Sequence, residues 1–181
     1  MSVVDLMLLG FLQEKPMNAY EIKKEVEQKN LVWWIKMSSP SIYRNISALA
    51  DKGYIDGEIV REGEMPEKTI YTINEKGNDY FLHLMEQYAK TPPKIYLDFT
   101  AIISNLNHVD RESGEKMLDD LYQTFQETKE ILSAIESSYD RHQAKAVTQL
   151  NQQMYDLFCN WLKSFKEEYY GQEPNEDRDK L

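Results

Sequence analysis

The sequence predicts a mainly α chain, with an N-terminal winged helix-turn-helix followed by an all-helical C-terminal domain, on three observations. Short, well-capped helical segments fill residues 3–53. The apolar period then switches from that of helices to that of strands over residues 54–73, and beyond Pro92-Pro93 two long segments carry apolar residues at heptad spacing. The domains so drawn are residues 1–90 and 94–170. A tail of residues 171–181 lacks apolar periodicity and is expected to be disordered.

Residues 3–13 form a short apolar helix that Lys15-Pro16-Met17 breaks. A second helix opens at Asn18 as N-cap, with Glu21 three residues on to complete a capping box, and buries Ile22 and Val26. Trp33-Trp34-Ile35 forms an aromatic link into the helix that organises the rest of the domain. That helix reads Ser39 as N-cap, Pro40 at the first helical position and Gly53 as the left-handed residue that ends it. At 100° per residue, Ile42, Ile46 and Leu49 share one side, with Tyr43 and Ala50 on its flank; Ser41, Arg44, Asn45, Ala48 and Lys52 form a stripe roughly opposite. An aliphatic side facing a short, polar, cationic one is the profile of a helix that enters the DNA major groove, although an ordinary surface helix shares the polar outer face.

The segment after Gly53 separates the two readings. Residues 54–61 and 69–73 are rich in β-branched and aromatic residues and flank a polar tip at 62–68, a β-hairpin pattern. Asn74 then caps a helix through about Tyr88, stopped by Thr91-Pro92-Pro93. Three helices, a two-stranded hairpin and a fourth helix is the order of a winged helix-turn-helix. In the second domain Ile95, Phe99, Ile102, Ile103 and Leu106 mark one helical face, and Asp110 caps the next helix. There Leu118, Leu121, Phe125, Thr128, Leu132, Ile135 and Tyr139 make a strict a/d seam, which requires a partner. The last helix offers Val147, Leu150, Met154, Leu157 and Trp161 in the same rhythm, and Phe158, Leu162, Phe165 and Tyr169 as a second apolar stripe. One stripe suffices to pack on the 111–139 helix, so the other is left for a second subunit. The candidate dimer interface is Met154, Phe158, Trp161, Leu162, Phe165 and Tyr169.

The net charge of −10 argues against loose, sequence-independent binding of nucleic acid over the whole surface. The charge is uneven: residues 15–52 hold seven basic against four acidic groups, and residues 91–181 hold ten against 17. Any DNA contact therefore belongs to the first third of the chain. Cys159 is the only cysteine, which excludes an intrachain disulfide and indicates a reducing compartment; its place beside Phe158 suggests packing. The run Leu6–Leu12 has some look of a signal segment, but Asp5 replaces the basic flank and Gln13-Glu14-Lys15 replaces a small-residue cleavage site. No apolar run approaches the ~20 residues that span a bilayer, so the reading is cytoplasmic, with no membrane partner. Catalysis finds no support either. His83, His108 and His142 have no metal-ligand spacing, there is no Gly-rich phosphate loop, and no cofactor is expected.

Residues 1–90 resemble the PadR family of bacterial transcriptional regulators. The segments that carry the resemblance are Ala19-Tyr20-Glu21-Ile22, then Ser41-Ile42-Tyr43-Arg44 with Leu49 and Lys52-Gly53-Tyr54-Ile55, then Lys68-Thr69-Ile70-Tyr71-Thr72-Ile73 with Gly77. Members commonly carry a basic pair and an acid after the recognition-helix Arg, where this chain has Asn45, Ser47, Ala48 and Asp51. The second half is similar to the longer subgroup, whose helical C-terminal domain forms a homodimer. The resemblance implies double-stranded DNA as partner, with Tyr20, Lys36, Ser39, Ser41, Tyr43, Arg44, Asn45, Lys52, Arg61 and Lys68 as candidate contacts. It also implies repression in most members and a small effector, phenolic acids in some, acting where the two domains meet. Trp33, Trp34, Tyr88, Tyr96 and Phe99 are the candidates for such an aromatic pocket, with plain packing between the domains as the other reading. A winged-helix adaptor that binds protein instead of DNA is the alternative function that the acidic charge allows.

Overall fold

The computed structural model describes residues 2–29, 35–61, 67–92, 95–137, 139 and 141–171. These divide into two compact units at the 94/95 boundary. The first contains α1 (Val3–Glu14), α2 (Ala19–Gln28), α3 (Ser39–Asp51), β1 (Ile55–Val60), β2 (Lys68–Ile73) and α4 (Glu75–Ala89). Its core gathers Leu8, Leu9 and Leu12 of α1, Ile22 and Val26 of α2, Ile42, Ile46 and Leu49 of α3, and Leu84 of α4 around Met17, Met37 and Ile55. Ile22, Val26, Ile42, Ile46 and Leu49 are the positions that helical periodicity assigns to the inside, and burial of such side chains contributes roughly 1.5–3 kcal/mol each.

β1 and β2 pair antiparallel, with Ile55 opposite Ile73 and Val60 opposite Lys68. Met17, in the α1–α2 connection, exchanges backbone hydrogen bonds with Tyr71 at 3.1 and 2.9 Å, so the hairpin is tied to the start of α2. The hairpin tip at 62–66 and the link containing Trp33 and Trp34 lie outside the described residues, as do residues 172–181 of the tail.

Three sequence readings are corrected. First, the N-cap of α3 is Ser38, not Ser39. Ser38 has extended backbone and a reciprocal capping box with Ser41, which leaves Ser39 as the first helical residue. Four adjacent Ser/Pro residues, 38–41, make the cap ambiguous by one position; the side chain with a partner three residues on decides it. Gly53 does end the helix in the left-handed region, at φ 69°.

The second correction concerns the segment after the Pro92-Pro93 break. The helix there is only α5 (Thr100–Ile103), followed by a 3-10 turn at Leu106–His108. Thr100 donates to the Leu97 carbonyl and Asn105 to the Ala101 carbonyl, both at 2.7 Å, and such side-chain bonds compete with a continuous helical ladder. Phe99, Ile103 and Leu106 still pack inward, but Ile95 and Ile102 are exposed.

The third concerns the stripes of the last helix. α6 (Arg111–Ser137) and α7 (His142–Tyr170) form an antiparallel hairpin, registered by Lys166 with Asp119, Lys129 with Asp156 and Glu136 with Gln149. Asp110 caps α6 by accepting from the Ser113 backbone and hydroxyl, bonds that hold its carboxyl below the usual range. The α6 seam buries Leu118, Phe125 and Leu132 as its spacing requires. Opposite it, α7 buries Thr148, Cys159 and Leu162, with Tyr155, Phe158, Phe165 and Tyr169 packed on the cluster that holds the last two. Phe158, Leu162, Phe165 and Tyr169 therefore serve the intrachain core. Aromatic bulk decides this: Phe99, Phe125 and Phe158 meet edge to face or tilted at 5.1–5.6 Å, an arrangement that draws the aromatic stripe inward and turns the aliphatic one outward. Val147, Leu150, Leu157 and Trp161 are left exposed, with Met154 half-buried among them. Burial also pushes the Cys159 thiol up and away from nucleophilic chemistry. Among the described residues no helix is long and apolar enough to cross a membrane.

Candidate nucleic-acid interface

α3 is held by its aliphatic side and presents the opposite side outward. Tyr43, Arg44, Ser47 and Asp51 are exposed along it, starting one turn from the N-terminus. The hydroxyl of Ser41 is engaged in the cap, donating to the Ser38 carbonyl at 2.7 Å. Asn45 is half-buried and its amide donates to the Ser2 hydroxyl at 3.2 Å, so this member of the polar stripe faces α1. Lys52 caps the C-terminus of α3, and its carbonyl accepts from the Lys76 ammonium at 2.6 Å.

Around α3 the remaining candidates fall on three edges. Tyr20 is exposed near the start of α2, with the Lys24 ammonium 4.9 Å from its ring centroid. Lys36 is exposed just ahead of α3. Arg61 and Lys68 sit at the outer ends of β1 and β2. An open groove of about 570 Å³ between α2 and the hairpin is lined by Asn18, Tyr20, Lys68, Thr69 and Tyr71, which brings Tyr20 and Lys68 to one surface.

The local charge is distributed in a way the residue count does not reveal. Lys15, Lys23 and Lys29 are each paired with a glutamate of α1 or α2. Exposed pairs of this kind add little stability, but they neutralise part of the basic excess where it stands. Lys24, Lys36, Arg44 and Lys52 then carry the outward positive charge of this face.

Two residues packed behind the site, Lys76 and Asp5, are given no such role by the sequence. Lys76 carries no motif. Asp5 figures there only as a flank of an apolar run, yet an acid among Val4, Leu8 and Leu9 is itself the signal. Asp5 is buried, within 3.5 Å of the Tyr80 hydroxyl; burial raises its pKa, opposed by the Lys52 charge and by hydrogen bonds from Ser2 and Tyr80.

The effector candidates do not share one unit. Tyr88 packs against the core of the first, whereas Phe99 packs within the aromatic core of the second and Tyr96 is 79% exposed. Trp33 and Trp34 lie outside the described residues. Among the described residues no group of three His, Cys, Asp or Glu is placed to hold a metal ion.

Residues 8–83 match the model of the transcriptional regulator PadR-like family. The negative transcriptional regulator PadR of Bacillus subtilis is 23% identical over 146 residues, covering 81% of this chain and 78% of that protein. Among solved structures, Bacillus subtilis PadR in complex with operator DNA superposes with a TM-score of 0.79 at 17% identity, covering 91% of this chain and 96% of that one. The same regulator in complex with p-coumaric acid gives 0.74 at 15% identity, with 91% and 94% covered. At these identities the structural likeness establishes the fold: a winged helix continued by a helical C-terminal region.

Proposed function

Because residues 8–83 match the model of the transcriptional regulator PadR-like family, we propose that the chain acts as a homodimeric repressor that reads a pseudo-palindromic operator with α3 in the major groove. The observation that carries this is the division of α3, buried along Ile42, Ile46 and Leu49 and presenting Tyr43 and Arg44 outward. Arg is suited to bidentate contact with guanine edges, and the lysines around it to phosphate. The relative named as a negative regulator and the operator complex of Bacillus subtilis PadR support the same reading.

The exposed aliphatic stripe of α7 supports a second copy of the chain as its cover, because soluble monomers rarely leave a contiguous apolar strip in water. A twofold dimer sets its recognition helices about one DNA turn apart, roughly 34 Å; the twofold symmetry makes the operator pseudo-palindromic and the separation sets the half-site spacing. A small aromatic acid relieves repression in this reading, supported by the p-coumaric acid complex of the Bacillus subtilis protein.

Retardation of a duplex from the chain's own upstream region tests the proposal. The regulator should shift it with a steep loss of affinity on adding salt, and p-coumarate should reverse the shift. No retardation at low salt would instead favour a winged-helix adaptor that binds protein, the reading consistent with the −10 net charge. Salt-dependent retardation that p-coumarate leaves intact would retain the regulator and remove this effector class.

A further inference from the structure

We propose that Asn45 is a positioning residue of the recognition helix, acting through Ser2 to fix the roll of α3 about its axis and contacting no base itself. The proposal rests on the DNA-reading function argued above. α3 is attached to the domain mainly by Ile42, Ile46 and Leu49, and apolar contacts are non-directional. Side chains reach about 5–6 Å from a helix axis, so a roll of 20° carries the outward-facing groups through about 2 Å, enough to break a bidentate contact from Arg44.

Directional bonds oppose that roll at two places. The Asn45 amide donates to the Ser2 hydroxyl at 3.2 Å, and the same oxygen accepts the Asp5 backbone N–H at 3.3 Å as the N-cap of α1. Ser2 thereby uses both acceptor sites of its hydroxyl to join the end of one helix to the middle of the other. At the far end, Lys76 of α4 holds the carbonyl of Lys52 at 2.6 Å. Asn45 is the only polar-stripe residue of α3 whose side chain is bonded to another helix among the described residues, and that bond turns it from the face that carries Arg44.

The test compares full-length wild type, Asn45→Ala, Ser2→Ala, the double variant and Ser2→Thr. Binding is measured to the retarded upstream duplex and to a scrambled duplex of equal length, at a temperature where circular dichroism shows every variant folded. Asn45→Ala and Ser2→Ala should each weaken binding to the upstream duplex about fivefold, the order of one hydrogen bond. The double variant should lose no more than either single one, binding to the scrambled duplex should be unchanged, and Ser2→Thr should behave as wild type. A lowered ratio of specific to non-specific affinity is a change that mere loss of stability does not produce. If Asn45→Ala alters preference at one base pair while Ser2→Ala has no effect, Asn45 reads a base and the proposal is overturned. Additive losses, or equal losses on both duplexes, overturn it as well. Wild type that retards neither duplex refutes the DNA-reading function itself, an outcome distinct from intact wild-type binding that Ser2→Ala leaves untouched.

Discussion

Arg44 leaves α3 on the side opposite Ile42 and Ile46, with exposed Tyr43 as its neighbour. It is the one guanidinium of the helix, and α3 has no second side chain able to make the same forked contact. Arg44→Ala should therefore cost about 1–3 kcal/mol of binding to the operator. Fluorescence anisotropy with a labelled duplex measures this, and an unchanged operator affinity in a folded variant removes Arg44 from the contacts. Asp5 gives a prediction of opposite kind. Burial raises its carboxyl above the ordinary 3.8, so the folded state favours the protonated form. Its contribution to stability is fully present below that ordinary value and is lost as pH rises through the raised one. Asp5→Asn should melt above wild type at pH 7, with the difference vanishing on acidification. A variant that melts below wild type at pH 7 would mean that the Lys52 charge and the hydroxyl donors outweigh desolvation.

At the scale of elements, the close approach of α4 to the residue ahead of β1 and to the end of β2 depends on Gly77. A Cβ built there would stand 2.0 Å from the Tyr54 carbonyl oxygen and 2.8 Å from Ile73 Cγ1. The backbone oxygen cannot rotate away, so Gly77→Ala should destabilise the first unit by about 3 kcal/mol, read as a lower urea midpoint at constant slope. Equal stability would show that α4 slides along the sheet at little cost. The hairpin makes a separate prediction. With Arg61 and Lys68 at its outer ends, replacing both by Ala should weaken binding to all sequences alike and flatten the salt dependence by roughly 0.9 per lost phosphate contact. A loss confined to one sequence would assign the wing to base reading.

For the whole molecule, the exchange of stripes on α7 separates folding from assembly. Leu162 is buried at 1% exposure between α6 and α7, and Leu162→Ala should cost about 2–5 kcal/mol of stability through the cavity it leaves. Leu157 is 63% exposed, so Leu157→Glu leaves the intrachain core intact and places a charge on the face assigned to the second copy. Sedimentation of Leu157→Glu should give a folded monomer where wild type gives a dimer, and operator affinity should fall with it because one half-site remains. A wild type that stays monomeric at micromolar concentration would sink both the dimer and the palindrome argued from it.

How much of the fold and of the interface is legible in the chain depends on the range of the forces involved. Caps, breaks and the buried side of each element are local. Asn18 with Glu21, Asn74 at the start of α4, Gly53 at φ 69° and the Ile42, Ile46, Leu49 side of α3 stand where the sequence puts them, because each is set by hydrogen bonds and periodicity within a few residues. Which of two apolar stripes on α7 turns inward is not local. Both have heptad spacing, and only the shape of the partner surface on α6, with Phe125 and the neighbouring Phe99 ready to take Phe158, selects between them. The same holds for Asn45 and Ser2, 43 residues apart, and for Lys76 and Lys52, 24 apart. A hydrogen bond between distant residues leaves no period in the chain, so periodicity alone determined which side of α3 is buried, and the tertiary structure alone decided which polar residues on its other side are free to meet a partner.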